Sequence, residues 1–134
     1  MRIAATWTSW APQLRSLLRI AAAIMFLQSG TMKLFGWPMS MPDNSTADLL
    51  TKIGIGGLLE MVGGVLVLIG LFTRPAAFIL SGMMAVAYFQ FHQPGGFWPM
   101  ENGGTTAVLY CFIWFYYSAA GAGPWSLDAL RKKD

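Results

Sequence analysis

Glu60 carries the most chemical meaning in this sequence, because it interrupts an otherwise apolar run over residues 53–72. A run of about twenty residues is long enough to cross a hydrocarbon core of ~30 Å. At 1.5 Å per helical residue, Glu60 lies ~10 Å inside the end of that run. A carboxylate at such depth is costly unless it is paired, protonated or facing water. Gly56, Gly57, Gly63 and Gly64 stand three or four positions to either side of it. Small residues at that spacing admit a neighbouring helix closely, so Glu60 is expected to face the interior of a helix bundle. It is then either a structural carboxylate locked to a neighbouring helix or a ligand or proton site.

Lys33 is the candidate partner. It falls about one turn inside the end of the first apolar run, on a stripe with Arg19, Ala22, Ala23, Phe26 and Gly30. It can pair with Glu60 or extend its amine to the membrane surface, and extension to the surface is the expectation for a terminal lysine. Gln28 in the same run reads as interhelical glue. Tyr88 and His92 are four residues apart and share one helical face. As a histidine, His92 is a candidate proton shuttle, but an interfacial histidine more commonly bonds water or a loop carbonyl. Glu101 and Asn102 precede the last apolar run, where Asn102 can cap it and Glu101 suits its positive end. Lys33, Glu60, Tyr88, His92, Glu101 and Asn102 all fall in the same half of the expected bundle. The other half holds only terminal cations. A polar pocket near one membrane face follows, rimmed by aromatics, with Lys33, Glu60, Tyr88, His92 and Asn102 as its candidate ligand-binding residues. Tyr110, Trp114, Phe115, Tyr116 and Tyr117 can stack on a planar ligand, although packing is their commoner use.

The residue inventory excludes several chemistries. A single cysteine, Cys111, rules out an internal disulfide and Cys-x-x-Cys redox work. A single histidine rules out bis-histidine haem ligation within one chain, and no cluster of ligands suits a metal. Redox work would therefore need a diffusible or borrowed cofactor. The net charge of +3 sits at segment ends and in the tail, which forms no basic face for nucleic acid.

The elements that position these residues are hydrophobic. Apolar residues make up 55% of the 134 residues and charged residues 11%, against about 25% charged in a soluble domain. So small a chain cannot hide that much apolar surface from water, so the excess is expected to face lipid. Four helical stretches are expected at about 15–36, 53–72, 75–91 and 105–120, one domain over 1–134. Pro75 suits a first helical turn, Gly36-Trp37-Pro38, Pro94 and Pro124 mark ends, and Asp48 or Ser45 can cap a short turn in the 39–52 loop between the first two stretches. Arg19 interrupts the first run and no small-residue cleavage site follows, so the segment is read as a retained helix rather than a signal peptide. Of the nine Lys and Arg residues, Arg2, Arg15, Arg19, Arg74, Arg131, Lys132 and Lys133 fall on the side of the termini, and only Lys33 and Lys52 on the other. The positive-inside rule then places both termini in the cytoplasm. The expected fold is an all-α membrane protein, a four-transmembrane-helix bundle.

The order and spacing of several pieces resemble the DoxX family of small four-helix bacterial inner-membrane proteins, from about residue 17 to 130. These pieces are Leu18-Arg19, Phe26, Gly30 and Lys33-Leu34-Phe35-Gly36, then Gly57, Glu60, Gly63-Gly64 and Gly70-Leu71 with Thr73-Arg74. Met83-Met84, His92, Asn102-Gly103 and Leu109-Tyr110 follow, and Gly121-x-Gly123-Pro124-Trp125-Ser126-Leu127-Asp128 closes the match. The resemblance implies a multi-pass protein of the bacterial inner membrane. It also implies a link to quinone or catechol chemistry, since some members are similar to the membrane subunit of a thiosulfate:quinone oxidoreductase. A quinone would then be the natural ligand of the outer pocket, with no intrinsic cofactor and with a soluble or membrane redox subunit as partner. Lys33, Glu60, His92 and Asn102 stand where the family's recurrent polar positions fall. The alternative is a non-catalytic scaffold or anchoring subunit of a membrane complex. A small transporter or lipid-binding module is a third reading, and transport by four short helices would call for an oligomer.

Overall fold

The computed structural model describes residues 2–39, 41, 46, 48 and 50–132, with the side chain of Lys132 left aside. Ser45 and Lys133 lie outside the described residues. Among the described residues seven α-helices follow in chain order: α1 (Arg2–Thr8), α2 (Ala11–Phe35), α3 (Lys52–Ile69), α4 (Thr73–Ala87), α5 (Pro99–Asn102), α6 (Thr105–Ala120) and α7 (Leu127–Lys132). A π-helical turn over Tyr88–His92 and a 3₁₀ turn over Gln93–Gly95 extend α4. Among the described residues there is no strand.

Local chemistry sets most of these limits. Pro12 fits the first turn of α2, where its missing N–H is not needed. Gly36 ends the helix in the left-handed conformation, with its amide on the Met32 carbonyl. Thr51 caps α3, its hydroxyl accepting the Gly54 amide at 3.1 Å. Gly70 ends α3 at φ 72°, a backbone that also leaves no room for a side chain beside Ser126. The expected helix at 105–120 is observed as α6. The others shift: α2 begins at Ala11 rather than 15, and α3 stops at Ile69 rather than 72. α4 starts at Thr73, and its expected last turn is π-helical. The exposed α1 has no counterpart in the sequence reading, because its seven residues carry too little periodicity to register.

The helices pack in sequence, α2 on α3, α3 on α4 and α4 on α6, with α6 returning against α2. The interior is small and aromatic: Ala23, Phe26, Val67, Ala77, Leu80, Trp114 and Tyr117 are essentially sealed. Glycine determines how close α2 and α3 come. A Cβ on Gly30 would lie 2.9 Å from the Met61 side chain and 3.0 Å from the Gly57 carbonyl, and one on Gly64 would lie 2.6 Å from Leu27. Gly57 likewise faces Lys33 and Leu34, while Gly63 faces Leu80 of α4. Gly56 meets nothing within 4 Å, so its expected packing role is not borne out. The outward faces are large and apolar: Leu17, Leu18, Ile24 and Met25 on α2, Ile55, Leu58, Leu59, Val62 and Val65 on α3, Phe78, Ile79 and Val86 on α4, and Leu109, Phe112 and Phe115 on α6. Arg19 and Glu60, by contrast, are inside. Charge inside and hydrocarbon outside is the pattern of a protein solvated by lipid. Two helices, α2 and α3, are by themselves long and apolar enough to cross a membrane.

Candidate functional site

The α2–α3 crossing brings Lys33 and Glu60 together. Lys33 Nζ donates to Glu60 Oε1 at 2.6 Å, which corrects the expectation that the amine extends to the surface. The reason is the glycine contact just described: with Gly30 against Gly57, the two backbones are close enough for the side chains on the next turns to meet. The Glu60 side chain is 3% exposed and that of Lys33 25%, so the pair opens on its lysine side. Glu60 Oε2 is buried and has no hydrogen-bond partner among the described residues. Gln28 is exposed and makes no side-chain hydrogen bond among the described residues, so it is not glue within this chain.

Tyr88, His92 and Asn102 form a second cluster, where α4 turns into α6. The Tyr88 and His92 rings stack at 6.3 Å with 27° between planes, as their spacing implied. The Asn102 amide donates to Tyr88 Oη at 3.1 Å and to the Gly96 carbonyl at 2.7 Å, while its oxygen accepts the Gly104 amide at 2.8 Å. Tyr88 in turn donates to the Phe97 carbonyl. His92 Nδ1 sits 3.3 Å from the Asn102 carbonyl, the loop-carbonyl role anticipated for an interfacial histidine. Asn102 therefore braces the start of α6 from inside its own short helix rather than capping it directly, and Glu101 is exposed in that same helix. These hydrogen bonds join the three residues to one another and to the 96–104 loop.

The aromatics of α6 divide into two sets. Tyr110 and Trp114 stack at 6.2 Å, both against Phe26 of α2, and Trp114 and Tyr117 are fully buried. Phe115 and Tyr116 point outward. The inner set is core packing, which leaves no slot there for a planar ligand.

The opposite end holds a polar assembly that the sequence reading missed. Arg19 is fully buried, and its guanidinium donates to the Ala122 carbonyl, to the Trp125 carbonyl at 2.7 Å and to the Leu68 carbonyl at 3.4 Å. Ser16, also fully buried, accepts the Trp125 amide at 3.1 Å. The Asp128 carboxylate accepts the Phe72 amide at 2.8 Å and the Thr73 amide at 2.9 Å, and the Asp128 amide donates to the Gly70 carbonyl at 2.8 Å. Asp128 thus satisfies the first amides of α4, the free donors at any helix start, from a distant part of the chain. Phe72, held at φ 50° without being glycine, is fixed by that bond and by Arg131 lying 4.6 Å over its ring. Burial pushes the Asp128 carboxyl up, but the Thr73 and Phe72 hydrogen bonds and the Arg131 charge outweigh it and hold the group below its ordinary range. The expectation that this half carries only terminal cations is corrected. Arg19 gave a signal, a charge among alanines in an apolar run, yet its partners are backbone carbonyls, which leave no trace in sequence.

Buried ions, apolar outer faces and an all-helical chain define a small helical membrane protein. Residues 14–93 match the DoxX family model, and the chain belongs to the DoxX family. It is 42% identical over 120 residues to an uncharacterised protein of Haemophilus influenzae, a match covering 87% of this chain and 90% of that one. It is 30% identical over 135 residues to an uncharacterised membrane protein of Mycobacterium tuberculosis, covering 87% of this chain and 80% of the relative. No solved structure matches the chain.

Proposed function

We infer that the protein is a quinone-associated subunit or accessory of a membrane redox system, with the ligand held at the Lys33–Glu60 pair. The observation that carries this reading is Glu60 Oε2, a buried carboxylate oxygen with no partner among the described residues, beside an ion pair that opens on its lysine side. A quinol hydroxyl would donate to that oxygen, and a quinone carbonyl would accept from the Lys33 ammonium. The chain crosses the bacterial inner membrane four times with both termini cytoplasmic, which puts the pair in the outer half. α6 at 16 residues and the continuous helical run from Thr73 to His92 are long enough in a thin or locally pinched bilayer. Lys33, Lys52, His92 and Asn102 lie toward one end of the bundle, Glu60 stands midway along α3, and Arg15, Arg74 and Arg131 lie toward the other end. In this reading a partner subunit supplies the electrons, and His92, half-buried in the π-helical turn after α4, serves as a proton carrier at the outer end. Tyr88 and Asn102 act by holding the loop rather than by touching ligand, since their polar atoms are engaged.

The test is titration of the purified protein with ubiquinone and menaquinone analogues. Saturable binding weakened at least tenfold in Glu60→Gln supports the reading. Absence of binding, or binding unchanged in Glu60→Gln and His92→Ala, refutes it. The scaffold reading draws on a different observation, the bonds that close the α4–α6 turn and the α7 end on themselves. Under it, Glu60→Gln lowers recovery of a partner complex and leaves no ligand effect to measure.

A further inference from the structure

Between the start of α2, the α3–α4 link and α7 lies an open groove of about 700 Å³. Three arginines from three separate elements line it: Arg15 of α2, Arg74 at the start of α4 and Arg131 of α7. Among the described residues none of the three makes an ion pair. Arg15 Nε is buried and has no hydrogen-bond partner among the described residues. The one carboxylate in the lining, Asp128, has an amide donor on each oxygen, so the groove keeps a surplus of two positive charges. Arg74 packs against Gly121, where a Cβ would come within 3.2 Å of its Nε, so that glycine preserves the space the guanidinium occupies. Guanidinium groups present paired donors in the geometry that phosphate oxygens accept. Apolar surface begins at the rim of the groove, at Phe72 and along the outward faces of α2 and α4, which is where acyl chains hanging from a bound headgroup would lie.

We propose that this groove is a binding site for the phosphate of an anionic phospholipid headgroup, held by Arg15, Arg74 and Arg131. The proposal rests on the four-crossing topology above, which sets this end of the bundle at the cytoplasmic surface. It is independent of any quinone at the other end. The groove has the size of a small-molecule site, larger than a lone phosphate needs.

The experiment is a native mass-spectrometric titration of the full-length protein with phosphatidylglycerol and, in parallel, phosphatidylcholine. Phosphatidylglycerol is expected to bind more tightly, and each of Arg15→Gln, Arg74→Gln and Arg131→Gln to weaken it about fivefold while leaving phosphatidylcholine unchanged. Lys52→Gln, at the far end, is expected to change nothing. Arg74 and Arg131 are exposed, so their variants keep the test decisive if Arg15→Gln does not fold. Equal affinity for the two lipids, or a preference that survives Arg74→Gln and Arg131→Gln, overturns the proposal. Inorganic phosphate that displaces phosphatidylglycerol and is itself lost in the arginine variants also overturns it, in favour of a free-phosphate site. Cysteine-accessibility mapping of the α7 end checks the topology separately. An α7 end on the periplasmic side would refute the topology and, with it, the placement of this site at the cytoplasmic leaflet.

Discussion

Removing Lys33 should cost this protein more than removing Glu60, although the two form one ion pair. At 2.6 Å and an effective dielectric of ~20, the bare attraction is about 6 kcal/mol. Desolvation of two ions offsets most of it, so the net worth of the pair is small, and what a mutant measures is the state of the partner left behind. Lys33→Met leaves a carboxylate whose side chain is only 3% exposed. Orphaning a buried charge costs about 3–5 kcal/mol, less if Glu60 takes up a proton instead. Glu60→Gln leaves a lysine that is a quarter exposed, can still donate to the amide oxygen and can extend to the surface. Its cost should be about 1 kcal/mol. In the double variant the orphan disappears, so its loss should fall short of the summed single losses by about 1–3 kcal/mol. Equilibrium unfolding in mixed micelles, followed by circular dichroism, reads all three variants on one scale. Equal losses in the two single variants, or additivity in the double, would refute the reasoning, because either result means that the carboxylate is not sealed in the wild type.

The α2–α3 crossing predicts a contrast between neighbouring glycines: Gly64→Ala, whose methyl would meet Leu27 at 2.6 Å, should destabilise by about 1–3 kcal/mol. Gly56→Ala, with open space around it, should be neutral or gain about 0.5–1 kcal/mol in the same unfolding assay. Arg19→Lys keeps the charge but cannot reach the Ala122, Trp125 and Leu68 carbonyls as a fork. It should lower stability by about 3 kcal/mol, read as a lost fraction of folded protein after detergent extraction. Asp128 has a folded pKa below its ordinary 3.8, so its contribution is present above that value and is lost as pH falls through the folded pKa. Melting curves between neutral pH and pH 3 should show that loss in the wild type and a flatter slope in Asp128→Asn, and parallel slopes would refute the assignment.

How far the sequence revealed this structure depends on whether the relevant partner was a side chain or a backbone. Helix α6 could be placed to the residue because Gly104 and Gly121 bracket a continuous apolar run. The inward direction of Glu60 was legible from the glycines around it, since spacing on a helix is geometry. The Lys33–Glu60 contact was not, because a terminal lysine has two good positions and only the Gly30–Gly57 approach, a property of the assembled pair of helices, selects one. The Tyr88–His92 stack was readable from the i, i+4 spacing, but the engagement of Asn102 with the Gly96 carbonyl and the Gly104 amide depended on a loop path that sequence does not specify. The latch around Arg19 and Asp128 was the least visible. Every partner there is a main-chain carbonyl or amide, and such groups are identical at every position of the chain.

The carboxylates of Glu60 and Asp128 differ in what they leave unpaired: each Asp128 oxygen accepts an amide, whereas Glu60 Oε2 has no partner among the described residues, and the unpartnered atoms of the α7 end are Arg15 Nε, Arg19 Nε and Thr73 Oγ1. At the α7 end, Arg19, Ser16 and Asp128 spend their hydrogen bonds on the backbone of the Gly70–Thr73 link and of the 122–125 turn, which ties α2, α3, α4 and α7 at one level. A substitution there should act through folding. At the Lys33–Glu60 pair, one carboxylate oxygen stays buried without a partner among the described residues. An unpaired buried acceptor is a standing cost of about 1–3 kcal/mol, and the fold tolerates it beside an ion pair that is itself only half sealed. A ligand donor that reached this oxygen would recover that cost on binding, whereas a purely structural lock would gain nothing from keeping it. The orphaned oxygen, more than the ion pair, is therefore the reason to look for a ligand here. Glu60→Gln distinguishes the two roles, because the amide can keep the bond to Lys33 yet cannot offer two charged acceptors.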